Sequence, residues 1–260
     1  HVKMNYQIIH RLAWKYSNLF YNRCDLVTCP SLGTKNELLE NNCKRSILIV
    51  PYGIDLTVFD NAKARAVRKS LGGGKLVLHV GRIAHEKNVP YLLECFALAV
   101  KKVPEAKLVV VGDGPQLRNV RAKAKSLNLS GNVVFTGMME HSKLVKSGIF
   151  AACDIFVTAS TTETGPLVVL EAQANGLVCV SVKGKGMNLI RDGVNGYVAA
   201  PGDKKAFAAA IVKLLSDKKT YAKMKKSTVR YVRRFELKRI VLVWEKAYSS
   251  LIVKHRHKHY

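Results

Sequence analysis

The chain has 260 residues, of which 48% are hydrophobic and 23% charged, so it holds enough apolar side chains to bury a core. This composition excludes a chain that is disordered throughout, and no run of about 18 apolar residues predicts a membrane-spanning helix. The 43 lysines and arginines outnumber 18 acidic residues. The resulting formal net charge of +25 favours an anionic partner, such as nucleic acid, an anionic membrane surface or a phosphorylated ligand.

The first 50 residues differ in pattern from the rest of the chain. We predict a helix over 4–22, a strand over 25–29, a helix over 33–41 and a strand over 47–50, with a boundary at Pro51-Tyr52-Gly53. We interpret this segment as the last piece of a preceding domain whose bulk is absent, in a chain that does not begin with Met. An ordinary N-terminal extension of the same domain is the alternative.

From about residue 76 the chain alternates short apolar runs with helical patterns, which predicts an α/β fold with a Rossmann-like, doubly wound parallel sheet, and we assign residues 51–235 to this domain. Continuous apolar runs of this length are typical of strands that are buried on both faces. In such a sheet the ligand binds beyond the carboxyl ends of the strands. The predicted strands cover 76–80, 107–111, 133–136, 154–159, 178–182 and 197–199, and the predicted helices cover 88–103, 115–127, 167–175 and 203–215.

From residue 204 onward the pattern predicts basic helices, and we assign residues 236–260 to a C-terminal helix and basic tail. The cations there form either an interfacial surface for anionic lipid or the solvated face of ordinary helices. His255, His257 and His259 alternate in the tail, which indicates a metal site or a disordered basic terminus. The cations in question are Lys213, Lys218, Lys219, Lys223, Lys225, Lys226, Arg230, Arg233, Arg234, Lys238 and Arg239.

The six cysteines show no C-x-x-C spacing, and several lie inside apolar runs. We therefore predict buried free thiols in a reducing compartment, which places the protein in the cytoplasm. The cysteines are Cys24, Cys29, Cys43, Cys95, Cys153 and Cys179.

Gly81, Arg82 and Lys87 follow the predicted strand 76–80. A glycine turn with two cations suits a phosphate ligand, because Arg offers a planar fork to phosphate oxygens and Lys a point charge. A solvated basic loop is the alternative in so basic a chain. After the next strand, Gly112-Asp113-Gly114-Pro115 lacks the third glycine and the ribose-binding acid of a dinucleotide site, so we interpret it as a tight turn.

Residues 161–167 close the predicted strand 154–159 and open the next helix, where backbone N–H groups can face an anion. Glu163 precedes this helix, and Glu171 lies on its otherwise apolar sequence. A carboxylate in such a place is costly unless it has a partner, either a ligand hydroxyl or a nearby cation. The sequence shows no Ser-His-Asp set, zinc-ligand spacing or P-loop, and each of the remaining histidines stands alone: His79, His85 and His141.

Read in order, these motifs resemble glycosyltransferase family 4, whose members have the two-domain GT-B fold. The resemblance implies that the chain is the C-terminal, donor-binding domain, with only the end of the N-terminal acceptor domain in residues 1–50. That segment is also similar to diacylglycerol glucosyltransferases, which act at membranes. Further matching motifs are Pro51-Tyr52-Gly53-Ile54-Asp55, Glu86-Lys87-Asn88, Val134-Phe135-Thr136-Gly137, Ala152-Cys153-Asp154 and Arg191-Asp192-Gly193-Val194-Asn195-Gly196.

The resemblance implies transfer of a hexose from a nucleotide sugar, such as UDP-glucose, with retention at the anomeric carbon and without a metal or other cofactor. By position, Arg82 and Lys87 resemble the pair that holds the donor diphosphate and stabilises the leaving group. Glu163 resembles the glutamate that faces the donor sugar, Glu171 the one that binds ribose hydroxyls, and Met139 a residue that contacts the nucleobase. The donor-binding set also includes Gly81, Thr164, Gly165, Leu167 and Val168.

Two positions depart from the family pattern. Pro166 has no N–H to offer the donor, and Asn188 stands where the family has an acid. The acceptor is not specified, a membrane lipid being one candidate. Two alternatives remain: a catalytically silent nucleotide-sugar-binding subunit that needs a partner for the acceptor half, and a basic nucleic-acid-binding module, which the charge favours but no recognition motif supports.

Overall fold

The computed structural model describes residues 2–256 of the backbone and the side chains of 9–255. Its N-terminal segment contains α1 (Val2–Tyr21), β1 (Val27–Cys29), α2 (Leu32–Glu40) and β2 (Ile47–Ile49). The two strands form a small parallel sheet with a core of its own, in which Leu38 packs against the strand side chains. All four elements lie where the sequence predicts them, whereas the division of the chain into domains stays a prediction.

The second sheet has six parallel strands within the described residues, in the order β5-β4-β3-β6-β7-β8. Chain order runs outward from β3 in one direction and from β6 in the other, so the topological switch point lies between these two central strands. The parallel, doubly wound sheet predicted from the sequence is confirmed. The strands are β3 (Lys75–Val80), β4 (Ala106–Val111), β5 (Val133–Gly137), β6 (Ile155–Thr158), β7 (Val178–Val182) and β8 (Gly196–Ala199).

Helices cover both faces of this sheet. Along β3, Val77 enters the hydrophobic cluster on one face, while Leu76 and Leu78 enter the cluster on the other, because successive side chains of a strand point in opposite directions. Both faces of the sheet are therefore shielded from water, which explains why the strand sequences are continuously apolar. The helices are α3 (Ala64–Ser70), α4 (Val89–Val100), α5 (Leu117–Ser126), α6 (His141–Lys146), α7 (Ile149–Ala152), α8 (Leu167–Ala174), α9 (Lys204–Ser216), α10 (Lys218–Val232) and α11 (Leu237–Arg256).

Three short helices, α3, α6 and α7, are not predicted from the sequence. None has more than seven residues, so none completes the two turns over which a 3.6-residue period becomes visible. The predicted free thiols are confirmed for all six cysteines, of which only Cys24 is not fully buried. Burial raises the pKa of Cys95 and of Cys153 to about 12, so these thiols stay protonated near neutral pH.

In the part of the chain that the structure describes, no helix is both long and apolar enough to cross a bilayer. The alternating histidines of the tail are only partly visible. His255 pairs with Asp25 through a 3.2 Å contact between Nε2 and Oδ1, and His257 and His259 lie outside the described residues.

Candidate functional site

A cleft of about 800 Å³ opens at the carboxyl ends of β3, β4 and β6, where the switch point of the sheet lies. Its walls come from the loops after β3, β4, β5 and β6 and from the first turns of α8. Pockets that bind small ligands commonly have a volume of about 300–1,000 Å³ and are found at such switch points. The cleft is therefore the first place to look for ligand chemistry.

Most of the site residues predicted from the sequence meet in this cleft. Two do not: Gly165 lines a smaller neighbouring cavity of about 260 Å³, and Thr164 lies against Gly186, behind the cleft wall. Asn188 lines the neighbouring cavity, whereas Pro166 faces the cleft. The predicted residues that line the cleft are Gly81, Arg82, Lys87, Met139, Glu163, Leu167, Val168 and Glu171.

The cationic side of the cleft is built by the loop after β3. Lys87 ends a short 3₁₀-helix, His85–Lys87, and its Nζ contacts Glu163 Oε1 from the loop after β6. Both side chains are largely shielded from water, with 24% and 18% of their surface exposed. Arg82 lines the same wall and is itself exposed. Because β3 and β6 are neighbours, the switch point brings a lysine and a glutamate together from positions 76 residues apart.

The turn Gly112–Gly114 packs directly against this loop. A Cβ on Gly112 would overlap the Gly81 carbonyl oxygen, and one on Gly114 would lie 2.5 Å from that of Ile83. Two hydrogen bonds join the same segments, from Ile83 N–H to the Asp113 carbonyl and from Gln116 N–H to the Ile83 carbonyl. The two glycines therefore permit a close backbone approach that fixes the position of the loop carrying Arg82 and Lys87.

Glu171 lies one turn inside α8 and is only 7% exposed. Its Oε1 lies 2.6 Å from Nε2 of His141, the first residue of α6, whose side chain is 71% exposed. A buried carboxylate at this position needs a partner, and His141 supplies it. His141 is exposed and lines the cleft together with Glu171, so a ligand hydroxyl that enters the cleft can replace the imidazole as the partner of this carboxylate.

Sequence reasoning misses His79 and His141, which have no neighbours in the sequence that indicate a site. His79 is 1% exposed, and its Nδ1 lies 3.0 Å from the Val157 carbonyl oxygen of the adjacent strand. Burial lowers the pKa of His79 to about 4, and the nearby ammonium of Lys87 lowers it further, whereas the hydrogen bond to Val157 and the carboxylate of Glu163 oppose the shift. His79 is therefore neutral near pH 7.

Residues 60–230 match the family model described as glycosyl transferases group 1. The chain belongs to this family. Its six-stranded parallel sheet flanked by helices is the Rossmann-like domain of a GT-B glycosyltransferase. The match confirms the resemblance read from the sequence motifs as far as a group 1 glycosyl transferase with the GT-B fold.

Two curated relatives are informative. Over 165 residues the chain is 35% identical to alpha-monoglucosyldiacylglycerol synthase of Streptococcus pneumoniae, which is 60% of this chain and 37% of that protein. Over 218 residues it is 30% identical to sulfoquinovosyl transferase SQD2 of Arabidopsis thaliana, which is 80% of this chain and 41% of that protein. The chain thus spans less than half the length of these two relatives.

Solved structures show the same fold. The crystal structure of Anabaena HepE in complex with UDP and glucose superposes with a TM-score of 0.84 at 22% identity, over 92% of this chain and 67% of that one. Sucrose-phosphate synthase from Thermosynechococcus elongatus superposes with a TM-score of 0.82 at 24% identity, over 93% and 62%. At these identities the likeness concerns the fold.

Proposed function

We propose that this chain is the donor-binding part of a retaining glycosyltransferase that transfers a hexose from a UDP-glucose-like nucleotide sugar. The observation that carries the proposal is the convergence of two cations and two carboxylates on one cleft at the switch point of a group 1 glycosyl transferase fold. The cations are Arg82 and Lys87, and the carboxylates are Glu163 and Glu171.

Each of these residues has a chemical task in the transfer. The bond between the anomeric carbon and the diphosphate oxygen breaks, and negative charge develops on the departing nucleoside diphosphate. An acceptor hydroxyl oxygen forms the new bond to the anomeric carbon, and the hydroxyl proton passes to the departing diphosphate. Arg82 and Lys87 neutralise that charge where it develops, and a partly shielded site makes their contribution larger than it would be in water. Glu163 faces the sugar, and the buried Glu171 accepts hydrogen bonds from the ribose hydroxyls.

Retention rests on the product named for a relative. The name of the pneumococcal relative specifies an α-linked glucosyl product, and an α-linked donor such as UDP-glucose yields such a product when configuration is retained. Anabaena HepE supports the choice of donor, since its crystal structures contain UDP and glucose in one case and UDP-glucose in another.

The first test is calorimetric titration of the chain with UDP, UDP-glucose and GDP in the presence of a chelator. We expect saturable binding of both uridine ligands and much weaker binding of GDP. Binding of none of the three would refute the proposed donor site in this chain, and equal binding of UDP and GDP would refute the choice of base.

We further propose a lipid acceptor, reached at an anionic membrane surface. The eleven cations between 213 and 239 are all exposed. The same stretch contains only two acids, Asp217 and Glu236. The name of the pneumococcal relative specifies a diacylglycerol product. A basic helical surface is attracted to anionic lipid by about 1 kcal/mol for each cation near the membrane.

Vesicle flotation tests this surface. The chain should bind vesicles that contain phosphatidylglycerol and should not bind pure phosphatidylcholine. Changing Lys219 and Lys223 of α10 to Ser should weaken binding about 30-fold, from the value for two cations. The matched control changes Lys101 and Lys102, which are also exposed but follow α4. Equal losses in both variants would show that net charge, rather than this surface, drives the binding.

A further inference from the structure

His79 is a buried histidine whose ring joins the two strands that lead to the loops of the candidate catalytic residues. β3 and β6 pair in register as far as Leu78 and Phe156. One residue further along, the His79 side chain takes over the link, with its Nδ1 3.0 Å from the Val157 carbonyl oxygen. The ring therefore ties the strand that leads to Lys87 to the strand that leads to Glu163.

The contact with Val157 also fixes the proton on the ring. A carbonyl oxygen only accepts hydrogen bonds, so Nδ1 carries the proton and donates it. Burial keeps the ring neutral, as the lowered pKa shows. Nε2 is consequently an unprotonated acceptor, and it has no hydrogen-bond partner within the described part of the chain.

Nε2 faces the side of the loop on which Lys87 lies. A Cβ built on Gly81 would have two nearest atoms, His79 Nε2 and Lys87 Cε, each 3.9 Å away. A buried acceptor needs a donor, and the Lys87 side chain, whose Cε lies on this side of the loop, ends in a charged donor that can supply it.

We propose that His79 is a positioning residue, which ties the ends of β3 and β6 together through Nδ1 and accepts a hydrogen bond from the Lys87 ammonium through Nε2 when a diphosphate draws Lys87 away from Glu163. The ammonium has three N–H groups, so it can bind a phosphate oxygen and Nε2 at once. This inference rests on the proposed function, because it assigns a diphosphate to Lys87.

The experiment compares UDP with uridine, which lacks the diphosphate, in the unsubstituted chain and in two variants. His79→Asn keeps an N–H near the Nδ1 position but has no acceptor at the Nε2 position, whereas His79→Gln reaches the Nε2 position with an oxygen. We expect His79→Asn to weaken UDP binding about 10-fold and to leave uridine binding, measured by competition, unchanged. His79→Gln should bind UDP more tightly than His79→Asn.

A double-mutant cycle separates positioning from a general structural role. In a Lys87→Ala background, His79→Asn should cause no further loss of UDP affinity, because the group that it positions is gone. An undiminished loss in that background, or equal losses for UDP and uridine, would overturn the inference. Failure of the proposed function itself is seen separately, as a lack of UDP binding by the unsubstituted chain.

Discussion

The proposed contact between Glu171 and the ribose gives the sharpest quantitative prediction. Glu171→Gln keeps the size of the side chain and removes its charge. Hydrogen bonds to a charged group contribute about 1.5–3 kcal/mol, and Glu171 is only 7% exposed, so water does not replace them. The neutral amide keeps hydrogen bonds that are roughly half as strong, so we expect UDP affinity to fall by about 3- to 12-fold.

The assay is a calorimetric comparison of UDP with 2′,3′-dideoxy-UDP, which lacks the ribose hydroxyls. The unsubstituted chain should bind the dideoxy ligand more weakly than UDP, and this difference should be smaller in Glu171→Gln, because the neutral amide makes weaker hydrogen bonds to the ribose hydroxyls. Glu105→Gln is the matched control, because Glu105 is an exposed glutamate before the amino end of β4, on the opposite edge of the sheet. If Glu171→Gln loses the same factor for both ligands, Glu171 does not bind the ribose.

Three other predictions concern the cationic wall, the buried histidine and the loop that carries Glu163. Arg82→Ala and Lys87→Ala should each weaken UDP binding about 10-fold or more in calorimetry, and unchanged affinity in both would remove the diphosphate from this wall. The pKa of His79 is near 6.5 in the unfolded chain but about 4 in the folded chain, so between these values only the unfolded chain takes up a proton. The free energy of unfolding should therefore fall by up to about 3 kcal/mol as the pH drops through this range. Urea denaturation should show this loss to be smaller in His79→Asn, and an identical loss would contradict the buried neutral ring. A Cβ on Gly186 would overlap the carbonyl oxygen of Glu163, the residue proposed to face the sugar, so Gly186→Ala should weaken UDP-glucose binding more than UDP binding in calorimetry. Gly131→Ala is the control, because a Cβ there meets open space, and it should change neither.

Much of the fold follows from the sequence because its central strands are buried on both faces. Such strands give continuous runs of Val, Ile and Leu, as in β4, and turn residues mark where they end. The short helices α6 and α7 give no such signal. Their positions depend on tertiary packing, because α7 packs against α3 and α6 packs against α7. Leu144, Ile149 and Phe150 are buried by this packing, and no local period in the sequence indicates their burial.

The position of a residue in the cleft could be predicted where a local motif at the end of a strand indicates it, as for Arg82 and Glu163. Contacts between residues that are distant in the chain could not be predicted. His141 meets Glu171 across 30 residues, and His79 meets Val157 across 78. A single histidine in a strand or at the start of a short helix carries no sign of such a partner, and only the folded sheet brings the pairs together.

The backbone around Glu163 has a consequence for the shape of the cleft. Cβ atoms on Gly184 and Gly186 would overlap the carbonyl oxygens of Thr161 and Glu163, and one on Gly33 of α2 would overlap that of Lys185. Three layers of main chain are thus stacked in direct contact behind this wall, with no flexible side chain between them to absorb a displacement.

The opposite wall is of a different kind. Met138 is 78% exposed, and the neighbouring Met139 and His141 reach the cleft with side chains that adjust at low cost. The cleft therefore has a rigid wall on the side of Glu163 and a compliant wall on the side of the methionines. Ligands that differ at the compliant end can be accommodated by side-chain rotation, whereas a change at the rigid end requires α2 and the loops behind Glu163 to move as one body.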